Sequence, residues 1–260
     1  MTRARRPARA LGVRTALYHE LAPYYDQIYH GKNYRAESTR LRSIVRQFGR
    51  SAGRDWLDVA CGTGKHLEHL RKYYHCSGVD ASPEMLRIAR RRLPGVRFTI
   101  GDMRSLRLGR EFDVVSCLFS AIGHLPTEHD LLRCFRRLAL HLKPGGVAIV
   151  EPWISPEMFR GGALHLRTYQ DPKVLIVRAS YSRRRGNVSF TYYDYLVGRS
   201  GRGIRHLVEV DRGLMVRPGR LVDLMREAGL RPRYLKDGFM RDRGLLVGTK
   251  PPGPNVPLRR

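Results

Sequence analysis

The chain has 260 residues, enough to bury a sizeable core in one α/β domain with an addition of moderate size, and too few for two fully separate domains. Its 42% hydrophobic and 28% charged residues are those of a soluble globular protein, and no stretch approaches the roughly 18 consecutive apolar residues of a membrane span. The formal net charge of +26 brings nucleic acid forward as a partner to be weighed. Tails do not explain this charge, because the five Arg of the first 14 residues and the final Arg259 and Arg260 supply only seven of its units. Arg outnumbers Lys 42 to 7, which codon composition accounts for as readily as function does.

In chain order, residues 1–14 read as a disordered basic tail, with an Arg-rich transit peptide as the alternative; the apolar core of a secretory signal is missing. Thr15 to Tyr29 and Tyr34 to Phe48 read as helices, the first interrupted at Pro23. From Arg54 onward short apolar runs alternate with amphipathic stretches, the mark of βα units around a parallel sheet. Strands are expected at 54–59, 76–79, 96–100, 112–118 and 147–150, and helices at 65–73, 83–92 and 128–142. Ser82-Pro83-Glu84 is a helix start, and Lys143-Pro144-Gly145-Gly146 reads as a stop and turn. After Glu151, four β-rich segments, 164–169, 174–181, 188–197 and 204–210, are separated by Asp171-Pro172, Arg185-Gly186-Asn187 and Gly198 to Gly203, and read as an antiparallel insert over the site. A helix at 218–228 and strands at 231–236 and 244–249 follow. The expected organisation is thus a doubly wound, Rossmann-like α/β domain (15–151 and 213–250), a β insert (152–212) and a C-terminal tail (251–260).

In open α/β sheets ligands sit at the carboxyl ends of strands, where the strand order reverses. At the end of the first strand Gly62 and Gly64 permit a tight turn before a helix whose free N–H groups face outward. A dinucleotide site needs a third glycine, and Lys65-His66-Leu67 follows instead. Asp58 would repel a pyrophosphate but suits the cationic amino-acid part of S-adenosylmethionine. Asp80, 16 residues after Gly64, is placed to accept the ribose hydroxyls; Asp102 is placed to take the adenine amino group, with Met103 packed on the ring. The four cysteines are scattered, read as reduced thiols of a cytoplasmic protein, and Cys61 has no adjacent base to make it a nucleophile. No metal site is expected.

These residues resemble the class I methyltransferase pattern over Arg54 to Glu151. Leu57-Asp58-Val59-Ala60-Cys61-Gly62-Thr63-Gly64, Gly101-Asp102-Met103-Arg104, Phe119-Ser120-Ala121-Ile122-Gly123-His124-Leu125 and Val150-Glu151-Pro152-Trp153 further resemble the N,N-dimethyltransferases of dTDP-3-amino-3,6-dideoxysugar biosynthesis, of the desosamine and mycaminose type. The resemblance implies that Tyr25, Tyr34, Ala60, Ala81 and Phe119 join the acids and glycines around the cofactor, that His124 lies beside the acceptor amine, and that Tyr18, offset by about a residue from the family's spacing, is the catalytic tyrosine near the sugar. It also implies that Trp153 and Arg243 meet the sugar nucleotide, Arg243 at its diphosphate. The chain departs from the family in Asp80, where glutamate is frequent, and in Gly238-Phe239-Met240-Arg241-Asp242, where the family has a glycine-rich loop. Another small-molecule acceptor, or RNA held on the basic surface, are the alternatives; a homodimer is a further expectation.

Overall fold

The structure, a computed structural model, describes residues 16–252, so the expected basic tail and residues 253–260 lie outside the described residues. Its centre is a seven-stranded sheet built from β1 (Asp55–Val59), β2 (His75–Asp80), β3 (Arg97–Ile100), β4 (Phe112–Cys117), β5 (Leu142–Val150), β10 (Arg231–Met240) and β11 (Arg243–Thr249). The order is β10-β11-β5-β4-β1-β2-β3, with β11 antiparallel to both neighbours and the remaining pairings parallel. The chain leaves β1 toward one edge and returns to its other side at β4, so the reversal lies between β1 and β4.

The helices begin where side chains satisfy their first N–H groups. Asn33 accepts from Ala36 N at the start of α2 (Tyr34–Phe48), Ser82 from Met85 N at α4 (Pro83–Arg92), and Thr127 from Asp130 N at α5 (Glu128–Leu140). Each such cap is worth about 1 kcal/mol. Apolar stripes at helical spacing, such as Leu131, Cys134, Phe135 and Leu138 of α5, then bury against the sheet. Two core clusters form on the sheet faces. A third joins Leu17, Leu21, Tyr25 and Ile28 to Met85 of α4 and to Ile176, Tyr195 and Val197 of the insert.

The insert is a separate four-stranded antiparallel sheet, β6 (Leu164–Gln170), β7 (Val174–Arg185), β8 (Val188–Arg199) and β9 (Gly203–Leu214), in sequential order. Alternation places Arg178, Ser180, Tyr193, Tyr195, Glu209 and Asp211 on its inner face, and Leu166, Leu196, Ile204 and Val208 on its outer face.

Several boundaries differ from the sequence reading. The expected helix 15–29 is two 3-10 turns, Ala16–Tyr18 and Ala22–Tyr24, followed by the single α turn α1 (Tyr25–Ile28). Pro23 interrupts the hydrogen bonding, and the buried Leu17, Leu21 and Ala22 are used to wrap the segment against the insert. The helix expected at 65–73 is α3 (Lys65–Leu70), shortened because the chain must turn into β2. α5 stops before Leu142 because that residue pairs with Phe112; β5 therefore starts there, with a bulge, where a stop and turn was expected. β7 and β8 run on through residues whose polarity hid them, and β9 reaches Leu214, past the expected insert boundary at 212. α6 (Pro218–Glu227) lies close to expectation.

Candidate active site

The end of β1 is organised by a relay of hydrogen bonds. Trp56 Nε1 donates to Ser116 Oγ (2.8 Å), and Ser116 Oγ donates to Asp58 Oδ1 (2.6 Å). Trp56 is fully buried and Asp58 is 2% exposed. Burial pushes the Asp58 carboxyl up to about 6, against the opposing pull of His66 and the Ser116 hydrogen bond. After Val59 the backbone enters the left-handed region at Ala60 (φ 58°), Gly62 (φ 55°) and Gly64 (φ 78°). A side chain on Gly62 would meet no protein atom within 4 Å, so the turn borders open space. Cys61 is buried, which drives its thiol far up and keeps it protonated.

Asp80, at the end of β2, accepts from Gly62 N through Oδ2 (2.8 Å) and from Ser82 N through Oδ1 (2.8 Å), so it ties the glycine turn to the start of α4. Burial raises its pKa, and these backbone donors oppose the rise. Ala81 beside it is exposed. After β3, Asp102 is held below its usual range by the Arg104 guanidinium, which donates to both carboxylate oxygens, while Met103 packs against the core. An adenine amino group would therefore share Asp102 with Arg104.

An aromatic arch covers this end of the sheet. Tyr18, Tyr25, Tyr29 and Phe119 follow one another at centroid distances of 6.2, 4.9 and 4.9 Å, and Tyr34 meets His66 edge-on at 4.9 Å. Asp26 fastens the arch to the turn, accepting from Thr63 Oγ1 at 2.8 Å and pairing with Arg92. Glu37 accepts from His66 Nε2 (2.7 Å) and pairs with Lys32, which also lies over the Phe119 ring. These partners hold the Glu37 carboxyl low despite its burial.

Phe119 and Ser120 both have positive φ, 51° and 59°. Such strain in non-glycine residues persists only where neighbours enforce it. Glu151 Oε2 accepts from Phe119 N (2.6 Å), and Ser120 Oγ donates to Pro152 O (2.7 Å), so the 119–125 and 150–153 motifs interlock. The turn that follows, Ala121–His124, presents His124 to the cleft with its side chain 36% exposed. Its Nε2 lies 3.0 Å from Tyr18 Oη, and its Nδ1 lies 3.2 Å from Asp211 Oδ1. Burial lowers the pKa of His124, but its contact with Asp211 and the charges of Glu209 and Asp80 outweigh burial and raise it.

Arg243 reaches the same turn, donating through Nη1 to Ser120 Oγ (2.8 Å) and stacking over Trp153 at 4.8 Å. Its Nε and Nη2 donate to Asp242, so an incoming diphosphate must displace Asp242 to gain a bidentate grip. Trp153 is itself held by Nε1 donating to Ser189 Oγ (2.9 Å). The structure thus places the expected residues at the carboxyl ends of β1, β2, β3, β4 and β5 and under the insert. The sequence reading missed Asp26, Lys32, Glu37, His66, Arg178, Glu209 and Asp211. The alternation of β9 puts Glu209 and Asp211 on one face without saying which face points inward, and the other five carry no local signal. Among the described residues there is no cluster able to hold a metal ion.

A buried carboxyl that gains by meeting a cation, next to a glycine turn open to a ligand, fits the amino-acid end of S-adenosylmethionine. The comparisons agree. A methyltransferase domain model matches residues 57–146. The dTDP-3-amino-3,4,6-trideoxy-α-D-glucopyranose N,N-dimethyltransferase of Streptomyces venezuelae is 39% identical over 231 residues, 88% of this chain and 97% of that protein. The structure of DesVI from Streptomyces venezuelae superposes with a TM-score of 0.83 at 38% identity, covering 90% of this chain and 98% of that one. CalS10 of Micromonospora echinaspora, an amino pentose methyltransferase solved with S-adenosylmethionine bound, superposes at 0.78 with 34% identity, covering 89% and 97%. The chain belongs to the family of S-adenosylmethionine-dependent amino-sugar N-methyltransferases.

Proposed function

We propose that this enzyme methylates the amine of a nucleotide-linked amino sugar, a dTDP-3-amino-3,6-dideoxysugar being the acceptor that best fits. The observation that carries the reading is His124, held between Tyr18 and Asp211 at the mouth of the cofactor cleft. When bound, S-adenosylmethionine supplies an electrophilic sulfonium methyl. What remains for the protein is alignment and proton management, and alignment alone is worth roughly 7–11 kcal/mol in favourable cases. Asp58 holds the cationic end of the donor, Asp80 its ribose and Asp102 its base, while Tyr25 and Tyr34 close over it and Phe119 packs beside it. Tyr18 and His124 orient the amine and accept its proton, and Arg243 and Trp153 border the nucleotide side.

RNA is not favoured as the acceptor. A basic groove lined by Arg42, Arg46, Arg50, Arg54 and Lys72 borders the amino ends of β1 and β4, opposite the cleft. The outer face of the insert exposes Leu166, Ile204 and Val208 at 67% each, which supports the homodimer as the state that covers them. No described helix is long and apolar enough to cross a membrane, and the four free cysteines suit a cytoplasmic setting.

The test is kinetic. With a dTDP-3-amino sugar and S-adenosylmethionine, His124→Asn lowers kcat by about 10²-fold or more and changes the affinity for S-adenosylmethionine less than twofold. An unaltered kcat, or turnover confined to acceptors that are not amines, overturns the reading.

A further inference from the structure

Glu209 and Asp211 stand on the inner face of β9, two positions apart, in register with Tyr193 and Thr191 of β8. Both are largely covered, Glu209 at 8% exposure and the Asp211 side chain at 17%. Glu209 Oε2 accepts from Leu17 N at 3.0 Å, and Asp211 Oδ1 contacts His124 Nδ1. The titratable and charged groups that face this pair are Tyr18 and Tyr29 from the N-terminal segment, His124 from its turn, Arg178 from β7, and Tyr193 and Tyr195 from β8, with Asp80 of β2 acting on His124 from the other side. Arg178 is the one permanent cation among them. Its Nε and Nη1 have no hydrogen-bond partner among the described residues, and it lies over the rings of Tyr29 and Tyr193. Two carboxyl groups thus face one guanidinium on the wall beside His124. Buried carboxylates cost stability unless something cationic meets them.

We propose that Asp211 and Glu209 form the negative pole that draws the acceptor's ammonium into the site and, acting through His124, holds the proton it loses. The inference rests on the amine-acceptor reading. An N–H bond of the ammonium breaks and its electron pair stays on nitrogen. The proton passes to Tyr18 Oη as the Tyr18 proton passes to Nε2 of the neutral imidazole, and the imidazolium so formed is matched by Asp211. Both carboxylates are positioning residues. Glu209 supplies a partial second charge that grows as the pH rises, because burial holds its own carboxyl up near 7, which Asp211 reinforces and the Leu17 amide and His124 oppose.

The test has an arm that needs no acceptor. In histidine-labelled protein, NMR titration of His124 compares wild type with Asp211→Asn. Loss of the anion destabilises the imidazolium, so the midpoint falls by about one pH unit or more. With the amino-sugar nucleotide, the acid limb of the kcat profile moves down by the same amount and the maximal kcat falls about tenfold or more. Asp211→Glu restores both. Glu209→Gln raises the acceptor KM several-fold while the affinity for S-adenosylmethionine holds. An unmoved His124 midpoint in Asp211→Asn overturns the inference, as does an unmoved acceptor KM in Glu209→Gln. If wild-type enzyme makes no amino-sugar product, the functional reading fails, and the His124 midpoint still decides the present one.

Discussion

Asp58→Asn separates what the cofactor site gives to binding from what it takes from stability. In the free protein the carboxyl is fully covered and its pKa rises from an ordinary 3.8 to about 6, chiefly through desolvation. Because folding raises it, the ionised form opposes folding. No cost is present below about pH 4, and the full cost is reached above about pH 6. At about 1.4 kcal/mol for each tenfold change in the protonation equilibrium, that cost is on the order of 3 kcal/mol at neutral pH. The Asn variant keeps an acceptor for Ser116 and carries no charge, so without cofactor it unfolds at a higher temperature than wild type at pH 8, an advantage that vanishes by pH 4. The same change removes a charged partner of the donor's ammonium, worth about 1.5–3 kcal/mol, so Kd for S-adenosylmethionine rises about 10- to 150-fold. In wild type, only the ionised carboxyl binds the cation, so affinity falls about tenfold between pH 7 and pH 5; in the variant it is flat. Calorimetric titration across this range, beside thermal melts, checks both halves. A variant with wild-type affinity and the wild-type pH slope would refute the reasoning.

Arg243→Lys keeps the charge but loses the fork, so the acceptor KM rises about tenfold or more while Kd for S-adenosylmethionine is unchanged; equal KM values in initial-rate kinetics contradict the assignment. Asp26→Ala cuts the Arg92 and Thr63 contacts that fasten the aromatic arch, and hydrogen exchange of residues 16–30 accelerates about tenfold. Unchanged exchange shows that the third core cluster alone holds the segment. The proposed homodimer predicts that wild type sediments as a dimer and Ile204→Glu, which places a charge on the exposed outer face of the insert, as a monomer; a monomeric wild type overturns the proposal, and a variant that stays dimeric moves the interface elsewhere.

The residues proposed to hold the cofactor were legible as a pattern because they are local. Asp58, Gly62 and Gly64 fall within seven residues of one strand and turn, and Asp80 and Asp102 each end a strand that hydrophobic pattern alone could find. The opposite wall was not, because its partners meet only through the tertiary fold. Asp211 joins His124 across 87 positions, Glu209 joins the Leu17 amide across 192, and nothing in the alternating pattern of β9 marks these acids as inward rather than solvated. The N-terminal segment misled for the same reason. Its spacing of apolar residues suited a helix, but the surface it covers is the insert, and Pro23 let the chain bend to reach it. The motifs around Phe119 and Glu151 were recognisable as patterns, while their physical reason, a carboxylate holding a left-handed turn that presents His124, emerged only in three dimensions.

The central claim is that the methyl group is delivered to an amino sugar carried by a nucleotide. Purified enzyme given methyl-labelled S-adenosylmethionine and, in parallel, a dTDP-3-amino-3,6-dideoxysugar, a set of free amino acids and total RNA tests it most directly. The account predicts label in the sugar nucleotide, with mass spectra showing one and then two added methyl groups. Label in RNA with none in any amino-sugar nucleotide would contradict it.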